Sequence, residues 1–344
     1  MAISCSCRII DIDEFGAALM EWTPEEFSER GFEFGDTVDL AFSNGTTLEN
    51  VPYYNGFYVQ IGEPVVVAYP SYKHPACNFN SLPFREQTGV NAGDTLTVTM
   101  HGKGAKADVM ALRGVVYSND PADYASPERF ANAREFRAGR IGGGKLYRCA
   151  SPFDPTMNRP EAVCRFLEAN GIRTTLSLSE TEKTLRERYA NMPAYAKKIC
   201  DAGNAIPVGL GAGCFTEKFR TPLVRGLIRA MDHPFPWAVH CLEGKDRTGF
   251  VCALLEALMG GTYREIVDDY MTTYNNYYGI TAESDPFRYN GFKSTFIDHY
   301  LRIFAGLDET EDPEGHDYSA GAEKYLLEGG MQPEEIEKLK QLLS

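Results

Sequence analysis

Residues 239–250 have the sequence VHCLEGKDRTGF, in which an apolar run ends at His240 and Cys241. A glycine, a lysine, an aspartate and an arginine follow within six residues. Core packing does not require this combination, because lysine, aspartate and arginine are rarely buried unless they are paired. The stretch therefore needs a setting in which its charged and nucleophilic side chains have a chemical role.

Strand and helix patterns alternate on both sides of this stretch. We predict strands within residues 145–151, 173–179, 205–211 and 237–241, and helices within residues 159–171, 180–203, 221–233 and 249–261. A final amphipathic helix is predicted over residues 334–344. Such alternation gives a mostly parallel sheet with helices on both faces. The sequence thus predicts an α/β domain with a mostly parallel central sheet flanked by helices.

Residues 32–117 have a different pattern, in which Gly and Pro turn signals separate short β-prone runs. Asn44-Gly45 is a typical hairpin turn between two of these runs. We predict a small all-β barrel or sandwich of about 100 residues. The polar segment near Asp120 marks the boundary. We therefore predict an accessory β-barrel-like domain over residues 1–120 and the α/β domain over residues 121–344.

Composition excludes several kinds of partner. The chain has 34 Lys and Arg residues against 48 Asp and Glu residues, a formal net charge of −14. A field of that sign disfavours non-specific binding to nucleic acid or to an anionic membrane surface. No run of eighteen or more apolar residues occurs, and the first residues lack the basic-then-apolar pattern of a secretory signal. We predict no nucleic-acid partner and no integral membrane segment.

The nine cysteines are an odd number and are scattered along the chain. This usage is typical of free thiols in a reducing cytoplasm, so we predict a cytoplasmic protein. Cys5 and Cys7 are spaced closely enough for half of a metal site, but no second cluster follows them. The alternative is that both are ordinary strand thiols. We predict no metal and no cofactor.

The quoted stretch lies between a predicted strand and a predicted helix, where α/β proteins place anion sites. Successive backbone N–H groups in such a loop can surround one oxyanion, and the helix dipole adds positive potential. Gly244 lets the backbone bend closely, and the planar fork of Arg247 can hold two phosphate oxygens. The same fields favour the thiolate form of Cys241, which is the nucleophilic form.

These features predict attack of a cysteine on phosphorus, a phosphocysteine intermediate and its hydrolysis to inorganic phosphate. No metal is needed for this chemistry, because the arginine and the amides can neutralise the phosphoryl oxygens. His, Cys, Gly, Arg, Thr and Gly at fixed positions occur together by chance with a probability on the order of 10⁻⁸ per starting position. A buried cysteine beside an N-cap threonine is the structural alternative, and it leaves Lys245 and Arg247 unexplained.

The segment HCLEGKDRTG at residues 240–249 resembles the active-site loop of the cysteine-dependent protein tyrosine phosphatases. It is most similar to a bacterial branch with GKDRT in the loop, whose members act on phosphotyrosine, other phosphoproteins and often phosphoinositides. Further matching segments cover much of residues 130–344: NAREF at 132–136, GGGKLYRCASP at 142–152, TTLSLSETE at 174–182, LLEALMGGTYREIVDDYMTTYNNY at 254–277 and YLLEGGMQPEEIEKLKQLL at 325–343.

The resemblance implies roles for the loop residues. Cys241 would be the nucleophile and Arg247 the phosphate clamp, while His240 would orient the loop. The hydroxyl of Thr248 would assist the sulfur as it leaves. The remaining loop residues would surround the substrate: Leu242, Glu243, Gly244 and Lys245. The chain departs from the family pattern at Cys149, where serine is usual, and in SLSETE, where aspartate and arginine are usual.

The leaving oxygen needs a proton, and residues 202–216 contain no acidic side chain to supply it. We predict Asp246 as the general acid, as the resemblance implies, with Glu217 as the second candidate. A purely structural Asp246 is the alternative. Lys245 and Arg148 are predicted to form a basic rim that contacts the substrate, and a solvated Lys245 that offsets nearby carboxylates is the bland alternative.

The predicted partners are a phosphorylated protein, or a phosphoinositide or inositol phosphate, with inorganic phosphate as the product. Broad specificity is favoured over strict use of phosphotyrosine. Three hypotheses compete with this one: a phosphate-binding scaffold that has lost turnover, a dedicated inositol phosphate phosphatase, and sulfur or arsenate chemistry on a similar loop.

Overall fold

The computed structural model describes residues 3–13, 15–60, 62–69 and 72–344. The chain divides into two compact units, Met1–Val116 and Tyr117–Ser344. Asp120, near which we predict the domain boundary, lies at the start of the second unit.

In the described part of the first unit, strands close into a seven-stranded barrel. In chain order they are β1 (Ser4–Ile12), β2 (Ala18–Met20), β3 (Thr37–Phe42), β4 (Thr47–Tyr54), β5 (Pro64–Val67), β6 (Ala76–Phe79) and β7 (Thr95–Gly102). The order around the barrel is β1-β2-β6-β5-β4-β3-β7, and β4 pairs with β5 in parallel. The helices of this unit are α1 (Pro24–Glu29), α2 (Phe84–Thr88) and α3 (Ala107–Arg113). The predicted small all-β domain is therefore confirmed as a closed barrel.

Alternating side chains build the barrel core. Val38, Leu40 and Phe42 of β3 are buried, as the two-residue period of a strand requires. The predicted turn at Asn44-Gly45 joins β3 to β4, and Gly45 adopts a φ of +92°, which favours glycine.

Cys7 lies inside the barrel core and Cys5 packs against it. Both therefore act as apolar strand residues. Within the described residues, no group of three or more His, Cys, Asp or Glu side chains is arranged to hold a metal ion.

The second unit is built on a five-stranded sheet in the order β11-β10-β12-β9-β8. Its strands are β8 (Arg134–Glu135), β9 (Leu146–Cys149), β10 (Thr174–Ser177), β11 (Ala205–Pro207) and β12 (Trp237–His240). The last four run parallel, and β8 pairs antiparallel with β9. Every residue of β9, β10 and β12 is buried, as expected for parallel strands covered on both faces.

Helices surround this sheet: α4 (Pro127–Phe130), α5 (Pro160–Ala169), α6 (Glu182–Arg188), α7 (Ala194–Asp201), α8 (Glu217–Ala230), α9 (Asp246–Leu258), α10 (Tyr263–Tyr278), α11 (Pro286–Lys293), α12 (His299–Ala305), α13 (Ser319–Glu328) and α14 (Pro333–Leu343). A π-helical turn, Ser294–Asp298, precedes α12, and the 3₁₀ turns are Pro121–Asp123, Pro155–Met157 and Tyr189–Asn191. The predicted α/β fold with a mostly parallel sheet is confirmed.

The register of the sheet positions the quoted stretch. His240 at the end of β12 lies opposite Ser177 of β10 and Cys149 of β9. The carboxyl ends of these parallel strands therefore meet where the loop to α9 begins. In the described residues, no helix has both the length and the apolar character needed to cross a bilayer.

Candidate active site

The loop Cys241–Lys245 joins β12 to α9, and its backbone carbonyls are held away from the loop centre. Surrounding donors bind the carbonyl oxygens of Leu242, Glu243 and Gly244. These donors are the Ser151 amide to Leu242 (3.1 Å), Tyr277 Oη to Glu243 (2.5 Å), Asn132 Nδ2 to Glu243 and Gly244 (3.3 and 3.0 Å), and Arg148 Nη2 to Gly244 (3.0 Å). Because the carbonyls point outward, the intervening N–H groups are free to turn the other way.

The amide groups of this segment have no protein acceptor. Within the described residues, none of the backbone N–H groups from Leu242 to Thr248 donates to another protein atom, and Gly249 is the first residue to make the helical bond, to Lys245 O at 2.7 Å. No side chain caps the start of α9. Free N–H groups followed by a helix N-terminus form an environment that suits an anion.

Gly244 is required by the path of the loop. Its φ is +66°, and a Cβ there would collide with the Cys149 carbonyl and lie 2.8 Å from the amide nitrogen of Ala150. The loop thus crosses directly over the end of β9. Only glycine combines this φ with this approach.

A buried ionic network supports the Gly244 carbonyl. Asp269 binds Arg134 Nε at 2.7 Å and also binds Arg148 Nη1. Burial alone would raise the pKa of Asp269, but the two arginines hold it below its usual value. Thr273 accepts from both guanidinium groups. The network fixes the direction of the Arg148 fork that binds Gly244.

Arg148 corrects a prediction from the sequence. We expected it to lie on a solvent-facing rim and to contact substrate, but its side chain is 0% exposed. Its guanidinium is used by Asp269, Thr273 and the Gly244 carbonyl. Arg148 therefore supports the loop from behind.

His240 is buried and faces the segment that departs from the family pattern. Its Nε2 lies 2.8 Å from Ser177 Oγ, and its Nδ1 lies 3.8 Å from Glu180 Oε2. Burial lowers the pKa of His240, while the Glu180 carboxylate opposes this shift. The backbone carbonyl of His240 accepts the Leu178 amide at 2.8 Å. The segment Ser177–Glu180 therefore supplies the hydrogen bonds behind the loop.

Glu180 links His240 to a second part of the loop. Its Oε1 accepts the Ser151 hydroxyl at 2.6 Å, and the Ser151 amide in turn binds the Leu242 carbonyl. Its Oε2 accepts the Ser179 hydroxyl at 2.8 Å. Arg188 Nη1 lies 3.9 Å from the same carboxylate. Glu180 thus holds both ends of the sequence His240–Leu242.

Cys241 lies at the base of the loop, with 3% of its surface exposed. Cys149, which stands opposite His240, is fully buried. Burial raises the pKa of the Cys149 thiol well above its usual value, and the adjacent cysteines, Cys164 and Cys241 among them, add to this shift. Cys149 is therefore a neutral packing residue in the place where the family usually has serine.

Arg247 points back across the loop toward β11. Its Nη1 donates to the Leu210 carbonyl at 2.8 Å. The Leu210 amide binds Leu178 O at 2.7 Å, so the same segment that holds His240 also positions the arginine. The contact uses Nη1 and leaves Nη2 and Nε of the fork for a ligand.

The sequence comparisons agree with this geometry. Residues 132–344 match the model of a family described as the tyrosine phosphatase family. The chain belongs to the tyrosine phosphatase family. No curated protein matches the chain.

Among solved structures, an uncharacterized conserved protein from Thermotoga maritima shares 18% sequence identity with a TM-score of 0.25. The match covers 27% of this chain and 35% of that chain. The chain thus spans about a third of the length of that protein, and the similarity is too low to bear on fold or function.

The phosphatase unit places the two candidate acids differently. Asp246 is the first residue of α9, and its side chain is 56% exposed beside the loop. Glu217 is the first residue of α8, is exposed, and makes no hydrogen bond or ion pair within the described residues. The structure therefore brings Asp246, and not Glu217, into the loop region.

Thr248 lies in the first turn of α9 and is fully buried. Its hydroxyl has no hydrogen-bond partner within the described part of the phosphatase unit. Buried hydroxyl groups are usually satisfied, so this one is available to a group that enters the loop.

Several site residues of the phosphatase unit were missed by sequence reasoning. Asn132 lies in the matched segment NAREF, which was a usable signal. Ser177 and Glu180 lie in the segment that we noted only as a departure. Tyr117 and Tyr277, which contact the loop at Glu243, gave no sequence signal, because aromatic residues near helix ends are common.

Proposed function

We propose that the second unit is a phosphoric monoester hydrolase of the bacterial GKDRT branch, with Cys241 as nucleophile. One observation supports this most strongly. The loop carbonyls from Leu242 to Gly244 are bound from outside, while the amides from Leu242 to Thr248 have no acceptor within the described residues. A dianionic phosphoryl group fits such an arrangement of donors above a cysteine.

In the first step, the Cys241 thiolate attacks phosphorus and forms an S–P bond while the P–O bond to the leaving group breaks. Arg247 and the loop amides bind the phosphoryl oxygens and stabilise their charge. Asp246 donates a proton to the leaving oxygen. The products are an alcohol or phenol and a phosphocysteine.

In the second step, water attacks phosphorus and gives its proton to the Asp246 carboxylate. The S–P bond breaks, and the electron pair returns to the sulfur. The unpartnered Thr248 hydroxyl donates a hydrogen bond to that sulfur as it leaves, and inorganic phosphate is released. The chain needs no cofactor for these steps, since Arg247, Asp246 and the amides supply every interaction.

The substrates that we propose are phosphotyrosine and other phosphoproteins, with phosphoinositides or inositol phosphates as the alternative class. We also propose a cytoplasmic location. All nine cysteines are free thiols in the structure, which supports this location.

Phosphate release from an aryl phosphate in the presence of a chelator tests the proposal. We expect turnover by the wild type, none by Cys241→Ser, and a loss of about 10²–10⁴-fold in kcat for Asp246→Asn, as removal of a general acid predicts. Glu217→Gln should behave like the wild type.

A wild type that binds phosphopeptide without releasing phosphate would instead be a scaffold. Full activity of Cys241→Ser would contradict the nucleophile. A large loss with Glu217→Gln and none with Asp246→Asn would reverse the assignment of the acid.

A further inference from the structure

Lys245 is not a free cation at the edge of the loop. Its Nζ lies 2.9 Å from Glu243 Oε2 and 3.8 Å from Asp246 Oδ2, and the side chain is 18% exposed. It also donates to Tyr278 Oη at 3.3 Å. Burial alone would lower the pKa of Lys245, but Asp246 and Glu243 raise it well above its usual value. The lysine is charged, and its charge is balanced by two carboxylates.

Glu243 is held in place to make this pair. Its Oε1 accepts the Tyr117 hydroxyl at 2.8 Å, and its backbone carbonyl accepts the Tyr277 hydroxyl at 2.5 Å. The rings of Tyr117 and Tyr277 pack with their centroids 4.6 Å apart. Burial would raise the pKa of Glu243, but Lys245 and the Tyr117 hydrogen bond keep it below its usual value. Glu243 is therefore an ionised, anchored carboxylate inside the loop.

The charges of this segment cancel. Glu243 and Asp246 are negative, while Lys245 and Arg247 are positive. Arg247 is the cation assigned to the scissile phosphoryl group, so Lys245 would have to leave Glu243 before it could bind a second phosphate. Its departure would also leave Glu243 as an unbalanced, largely buried negative charge, which is unfavourable.

We propose that Glu243 is a specificity-determining residue: by engaging Lys245, it favours esters whose only phosphate near the loop is the scissile one, such as a phosphotyrosine side chain, over inositol rings with several phosphates. The proposal rests on the phosphatase function proposed above. It departs from the expectation that a lysine at this position serves polyphosphorylated substrates. Removal of the Glu243 charge should release Lys245 and shift selectivity toward such rings.

The test compares a phosphotyrosine peptide with a soluble inositol polyphosphate. The ratio of kcat/KM for the two is measured for the wild type, Glu243→Gln and Glu243→Gln/Lys245→Met. We expect Glu243→Gln to raise the ratio in favour of the polyphosphate by about fivefold, the effect of one charge at about 4 Å in water-exposed surroundings. Lys245→Met in the same background should return the ratio to the wild-type value.

Two controls make the result specific. Glu309→Gln removes the same charge from an exposed position and should leave the ratio unchanged. Tyr117→Phe removes only the hydroxyl that holds Glu243, and should change the ratio in the same direction as Glu243→Gln by a smaller amount. The aryl phosphatase activity and Trp237 fluorescence of each variant show whether it is folded.

Equilibrium affinities for the same two ligands, measured in the Cys241→Ser background, separate the two proposals. Normal turnover with an unchanged ratio and unchanged relative affinities in Glu243→Gln would overturn the role of Glu243. No turnover by the wild type, together with the expected shift in relative affinity, would overturn the enzymatic function and support the role of Glu243 in ligand choice.

Discussion

Gly244 determines whether the loop can exist in its present form. Its positive φ and its approach to the end of β9 bring the Gly244 carbonyl to Asn132 and Arg148. These contacts turn the carbonyl outward and leave the neighbouring amides free. The anion-binding character of the loop therefore depends on a residue that has no side chain.

We expect Gly244→Ala to lower kcat/KM for an aryl phosphate by about a hundredfold or more, because a displacement of about 1 Å at a reacting centre can have that effect. Gly306→Ala is the matched control. Gly306 has a φ of +70° with nothing within 4 Å of an added Cβ. It should lose only the roughly 1–2 kcal/mol of a left-handed alanine and keep its activity. Equal activity of the two variants, measured by steady-state kinetics, would show that the contact with Cys149 is unimportant.

Local sequence was sufficient to predict some of these residues and insufficient for others. Cys241, Arg247 and Gly244 lie within one short segment whose spacing has few alternatives. The position of Arg148 depends on Asp269, which is 121 residues away, and a lone arginine at a strand end gives no sign of that partner. The Ser177 contact with His240 spans 63 residues. Such pairings are set by the sheet and not by the neighbouring sequence.

Helix α9 is buried on every side, because it passes between the sheet and other helices of the phosphatase unit. Its residues from Thr248 to Leu258 are all buried, including Glu256. Both carboxyl oxygens of Glu256 lack a hydrogen-bond partner within the described part of the chain. Burial raises the pKa of Glu256 well above its usual value, and the nearby Asp269 carboxylate adds to this shift. Glu256 is therefore a neutral acid in the folded protein at its ordinary ionisation pH.

We expect Glu256→Gln to gain stability relative to the wild type as pH rises. The folded pKa of Glu256 lies above the usual 4.5, so its stabilising effect is complete below that pH and is lost as pH rises toward the folded pKa. The wild type should lose about 1.4 kcal/mol of unfolding free energy per pH unit over that window, relative to the variant.

Urea unfolding at pH 5 and pH 8 measures this difference. Trp22 lies in the barrel unit and Trp237 in the phosphatase unit, so a Trp22→Phe background lets fluorescence report the phosphatase unit alone. Glu309→Gln, an exposed position, should show no pH-dependent difference. A difference for Glu256→Gln that is the same at both pH values would mean that Glu256 is ionised in the folded state.

The elements themselves were largely predictable, because apolar runs and Gly or Pro punctuation are local. The strands that lead into the loop and the apolar helix after it agree with the structure, and the Asn44-Gly45 turn joins β3 to β4 as expected. Closure of the barrel was not decided by the sequence, which allowed a sandwich as well. Closure depends on the pairing of β1 with β7, residues far apart in the chain.

The whole molecule combines a strongly acidic chain with a local anion site. The net charge of −14 would repel a phosphate ester at long range. The loop compensates with oriented amides, the α9 N-terminus and Arg247, so affinity for an anion is built at one point of the phosphatase unit. The barrel unit, with its own core, contributes no residue to this site as we define it.

A covalent phosphocysteine is the most direct evidence for this account. The wild-type chain is mixed with ³²P-labelled aryl phosphate, quenched rapidly in detergent at neutral pH, digested and mapped by mass spectrometry. The account predicts label on the peptide that contains Cys241, and none with Cys241→Ser. Phosphate release by the wild type with no label at Cys241, or with label on another residue, would contradict it.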